Sequence, residues 1–194
     1  MSSSLPGTAL ILVLALPPVR HALERVMVVH MLVQIPLLAV AGALIAVSLP
    51  TRLTSIFVSW NARGVTGTLL ALIVSSWWMV PRALDLALAE PLMEVTKFVS
   101  LPLLVGIPVA LSWRSLGGMG QGFVLANVLP MWAAVGWLYV AAPTRLCNFY
   151  LVEQQAAAGL GLLWLSIAVA LAACARVLVP ASGHESVAPG PRTT

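Results

Sequence analysis

Five stretches of this chain, at roughly 26–49, 64–80, 95–112, 121–142 and 155–179, are apolar over about 20 residues. That length carries a helix across a hydrocarbon core, and within such a core a chain must satisfy its backbone polar groups internally. A shorter run, Leu5 to Pro18, reads as a first, short helix. No basic residue precedes it, and Pro17-Pro18-Val-Arg20 is not a small-residue cleavage site, so it is not read as a signal peptide. Composition agrees: 60% of the 194 residues are apolar and only 8% are charged, with a mean hydropathy of +1.01. The expected fold is all-α, a polytopic integral membrane bundle of about six transmembrane helices. Residues 1–180 form its single domain and 181–194 a polar C-terminal tail.

Six spans place both termini on one side. Arg52, Arg63, Arg114, Arg176 and Arg192 fall with the termini, against one acid, Glu185. The other side holds Arg20, Arg25, Arg82, Lys97 and Arg145 with Glu24, Asp85, Glu90, Glu94 and Glu153. Cation counts alone nearly balance, and the plain solvated tail favours cytoplasmic termini in a bacterial inner membrane. The net charge of +4 comes from scattered arginines suited to lipid headgroups, with no basic run interleaved with aromatics, so no nucleic acid partner is expected. Trp60, Trp77, Trp78 and Trp113 lie close to span ends and read as interfacial anchors. Cys147 and Cys174 sit about 40 Å apart along a helix, beyond disulfide reach. The glycine-rich segment Gly117 to Gly122 reads as a flexible loop. Ala39, Gly42, Ala43, Gly159 and Gly161 read as sites of close helix approach.

The polar residues concentrate at the acidic end. Met27, His30 and Gln34 are spaced three and four apart, and Met27 and Met31 four apart, so they share a helical stripe. Imidazole with thioether suits Cu(I), and the competing reading is a histidine hydrogen-bonded to a neighbouring helix. From other helices come Met79, Asp85, Glu94 and Lys97, then Glu153 and Gln154. An intramembrane ammonium needs a carboxylate or carbonyl partner, and Glu94 or Glu153 is the expected one. Asp85, Glu94, Lys97, Glu153 and Gln154 then form a polar network, either structural or an ion path.

Four stretches in order resemble the CtaG family of membrane proteins, associated with copper delivery in cytochrome c oxidase assembly. They are Val26-Met27-Val-Val-His30-Met31-Leu32, Trp78-Met79-Val-Pro81-Arg82-Ala-Leu-Asp85-Leu-Ala-Leu88, Glu94-Val-Thr96-Lys97-Phe98, and Glu153-Gln154-Gln155 through Gly159 to Trp164. Of that family's histidines His30 is retained, whereas Val26, Met79 and Lys97 stand at the other positions. The resemblance implies a polytopic bundle and an oxidase partner. The scaffold with its ligands replaced implies a non-catalytic accessory subunit or assembly factor of a haem-copper oxidase, hetero-oligomeric and lipid-bound. No cofactor is expected unless Cu(I) binds His30, Met27, Met31 and Met79. A copper chaperone and a small membrane transporter are the alternatives. A haem anchor is disfavoured, because His21 and His30 lie about 13 Å apart on one segment.

Overall fold

In the computed structural model, residues 5–178 are described; the tail expected at 181–194 lies outside them. Those residues fold entirely into helices and their connections. In chain order they are α1 (Leu5–Ala15), α2 (Pro17–Glu24), α3 (Met27–Val47), α4 (Thr51–Trp60), α5 (Val65–Trp78), α6 (Pro81–Ala89), α7 (Pro91–Ser112), α8 (Gly117–Ala141) and α9 (Val152–Leu178).

Each apolar run is helical, but the runs differ in kind. Helices α3, α7, α8 and α9 are individually long and apolar enough to cross a membrane. The other two candidate spans are bent pairs, α1 with α2 at 71° and α4 with the segment Ala62–Trp78 at 70°. The first bend follows from Pro17 and Pro18, which open α2 without backbone donors. At the second, Arg63 (φ 56°) and Gly64 (φ 77°) adopt left-handed backbone, which breaks the helix and turns the chain by 70°. Asn61 holds that turn by accepting from the Gly67 amide at 2.8 Å and donating to Ser112 Oγ at 2.8 Å. Residues 51–60, which lie between two of the apolar runs, are thus a helix of their own.

The segment Gly117 to Gly122 is likewise not a loop. It forms the first turns of α8, with Gln121 Nε2 donating to the Trp113 carbonyl at 2.9 Å. Helical hydrogen bonding outweighs the poor propensity of glycine, about 1 kcal/mol per residue.

Two of the four long apolar helices carry π-helical turns, at His30–Gln34 in α3 and Leu101–Gly106 in α7. In each the hydrogen bond reaches five residues back, from Ile35 to His30 and from Ile107 to Pro102. Pro36, Pro102 and Pro108 explain them, since proline lacks the donor and crowds the carbonyl four residues earlier, and a widened turn relieves both. The widened turn of α7 packs against the regular stretch of α3 that follows its own widened turn. A Cβ on Gly42 would overlap the Pro102 backbone, and one on Gly106 would overlap the Ala39 carbonyl. Helices α8 and α9 meet through Gly136 and Gly159 in the same way. The close approaches expected at Gly42 and Gly159 therefore are backbone crossings, while a Cβ at Gly161 meets only the Leu32 side chain.

The core lies between α3, α7 and α9, around Met27, Met31, Leu38, Leu84, Leu101 and Leu162. Trp78 belongs to it and is not an interfacial anchor: it is 1% exposed, and its indole N–H donates to Ser100 Oγ at 2.9 Å. Trp60 and Trp77 do face outward.

Candidate functional site: a buried ion-pair network

Lys97 is the centre of the polar end. It lies on α7, fully buried, with its Nζ 2.7 Å from Glu24 Oε1, 3.2 Å from His30 Nε2 and 3.5 Å from Gln34 Oε1. The expected partner, Glu94 or Glu153, is not the one used. Glu24 reaches Lys97 because α2 ends beside the start of α3, and the π turn sets His30 and Gln34 toward the same point.

Donor accounting fixes the imidazole. Tyr150 Oη donates to the Glu24 carbonyl at 2.9 Å, so at 2.8 Å it accepts from His30 Nδ1–H. His30 Nε2 is then the acceptor for Lys97, and the three ammonium protons meet three acceptors. Gln34 Nε2 also donates to Glu24 Oε1 at 3.3 Å.

Glu94 joins the network by another route, through Arg20. Arg20 Nη1 lies 2.6 Å from Glu94 Oε1, and its Nε lies 3.9 Å from Glu24 Oε2. Arg20, Glu94, Glu24 and Lys97 form a chain of alternating charge that ties α2 to α7. Such a set, in which the charges sum to zero, is the form in which buried charge is tolerated.

The remaining expected members divide. Asp85, on α6, is buried but serves elsewhere: its Oδ2 accepts from the Asn148 amide at 2.7 Å. Glu153 is exposed and Gln154 only partly buried. At the start of α9 the buried polar residue is Gln155, which accepts from the Leu146 amide at 2.8 Å and donates to the Tyr139 carbonyl at 3.2 Å. Asp85 and Gln155 together pin the loop between α8 and α9, and so place Tyr150 over His30. The signal for Gln155 was present in the sequence. Gln155, Ala158, Gly159, Leu162 and Ser166 form the buried stripe of α9, and small residues at helical spacing mark a packed face.

Of the proposed soft ligands, Met27 and Met31 are buried in the core and Met79 is partly buried against it. Both His30 nitrogens are engaged and the Lys97 ammonium stands at Nε2, so a Cu(I) ion on His30 would have to displace one of these partners.

Cys147 and Cys174 are both free thiols. Cys147, in the α8–α9 connection, is fully buried, and its Sγ faces the Pro81 carbonyl at 3.8 Å. Burial, with the Asp85 carboxylate adding to it, pushes this thiol from 9.0 up to about 12. Burial also raises the Tyr150 phenol, with the Glu24 charge contributing. Between pH 9 and 12 the folded chain therefore keeps a Cys147 proton that the unfolded chain releases, and stability falls as pH rises through that window. In detergent at pH 8, maleimide is expected to modify Cys174, which is exposed, and to reach Cys147 only after denaturation. Equal labelling of both thiols in the native state would contradict the burial.

These features define, over the described residues, an all-helical fold with four helices long and apolar enough to cross a membrane and up to six candidate spans when each bent pair counts as one, built around an internally compensated charge network. Compared with protein-family models, with curated proteins and with solved structures, the chain matches none.

Proposed function

We propose that this protein is an accessory integral-membrane subunit or assembly factor of a respiratory haem-copper oxidase. It sits in a bacterial inner membrane with cytoplasmic termini and has no catalytic activity of its own. The observation that supports the reading is Lys97 Nζ, held by Glu24, His30 and Gln34. This ammonium stands beside the one histidine that the CtaG resemblance retains, and it supplies from within the positive charge that a metal would otherwise bring. A centre satisfied in this way suits a packing scaffold better than a carrier that must load and release a cation.

Purification from source membranes in mild detergent, with mass spectrometry of the companions and copper and haem measured on the same sample, tests it. Co-purifying oxidase subunits, with no copper assignable to this chain, are the expected result. A lone chain with about one copper, lost in His30→Ala, would favour the chaperone instead. Transport in reconstituted vesicles that vanishes in Lys97→Met, with the bundle intact, would favour a transporter.

A further inference from the structure

A polar cleft of about 360 Å³ opens directly above the ion-pair network, between α2, α6, α7 and the α8–α9 connection. Arg20, His21, Glu24 and Arg25 contribute from α2, Glu94 from α7, and Phe149 and Tyr150 from the connection.

Around the cleft, Lys97 pairs with Glu24, and Arg20 pairs with Glu94 through Nη1. One donor and one acceptor of these pairs are left over, since Arg20 Nε and Glu94 Oε1 are both buried without a hydrogen bond. Arg25 is exposed and makes no ion pair among the described residues. Arg20, Arg25 and Lys97 therefore outnumber Glu24 and Glu94 by one charge, and the occupant that balances it is an anion with several acceptor oxygens and a hydroxyl to spare for Glu94.

Position narrows the class. If α1 crosses the membrane, the 71° bend lays α2 close to the membrane plane, at headgroup depth. The nearby Phe149, Leu92 and Leu151 are exposed at 56%, 76% and 50%, which suits acyl chains beside the cleft. We propose that this cleft binds the phosphodiester headgroup of an anionic phospholipid, with Arg20 and Arg25 as its donors. The proposal rests on the chain lying in a bilayer and is independent of any oxidase.

The full-length chain, purified in mild detergent with an equal mixture of phosphatidylglycerol and phosphatidylcholine, can be read by native mass spectrometry for retained lipid. Phosphatidylglycerol is expected to be kept preferentially, and Arg25→Gln to lower its ratio to phosphatidylcholine about five-fold. Arg52→Gln, which removes an exposed guanidinium at the opposite end of α3, should leave the ratio unchanged. Both residues are exposed, so neither variant disturbs the core. No headgroup preference, or an equal fall in both variants, would overturn the proposal. Displacement of the lipid by millimolar inorganic phosphate would overturn the lipid assignment and leave a phosphate site. Carbonate extraction tests the bilayer reading separately: a chain released from membranes would sink that reading whatever lipid it retains.

Discussion

Lys97→Met is expected to lower stability by about 3–5 kcal/mol, the cost of removing one partner from a buried ion pair. The side chain is fully buried and Glu24 only 10% exposed, so the variant leaves a carboxylate facing the Gln34 amide, with the Arg20 Nε 3.9 Å away. The His30 Nε2 acceptor also loses its donor. Urea or thermal unfolding in detergent, followed by tryptophan fluorescence, would read the loss. Glu24→Gln combined with Lys97→Met should recover most of it, because a neutral pair of similar volume carries no uncompensated charge. Glu94→Gln should cost about 1 kcal/mol or less, as its bond to Arg20 is partly solvated. If Lys97→Met were as stable as the parent, the network described here would not be the fold's polar centre.

Gly42→Val should be comparably severe for a different reason. At the crossing of α3 and α7 the space for a Cβ is taken by the Pro102 backbone. Backbone cannot rotate away as a side chain can, so the helices must separate, at a cost of at least about 3 kcal/mol, the upper end for overpacking. Gly106→Ala tests the same contact from the other side, where the new methyl would meet the Ala39 carbonyl and lie 2.8 Å from Gly42 Cα. Gly122→Ala is the control. Its Cβ meets nothing within 4 Å, so the gain in helix propensity, up to about 1 kcal/mol, should make it neutral or stabilising. Equal losses at Gly42 and Gly122 would mean that the crossing is not as close as described.

The contrast between these glycines shows where sequence information ends. Gly42, Gly118 and Gly122 are all small residues in apolar helices, and only the partner helix separates a crossing from an open face. The same holds for Trp77 and Trp78, adjacent at a span end. One faces outward and the other is buried against Ser100, because successive residues on a helix point about 100° apart. On α9 the polar run Glu153-Gln154-Gln155 was legible as a run, but the inward residue is Gln155, set by its phase with Ala158, Gly159 and Leu162.

The sequence by itself determined the helical class, the apolar segments and the end of the bundle where charge collects, because hydropathy and helical periodicity are local properties of the chain. It also identified His30, Lys97 and Glu94 as residues that need partners, since charge in an apolar helix cannot stand alone. Which partners they take was decided by tertiary structure. Lys97 lies 73 positions from Glu24, and Tyr150 lies 120 positions from His30. Two proline-induced π turns, a glycine crossing and a bent first helix had to be in place before those groups could meet. No local pattern encodes such distances, because each depends on how several helices pack at once.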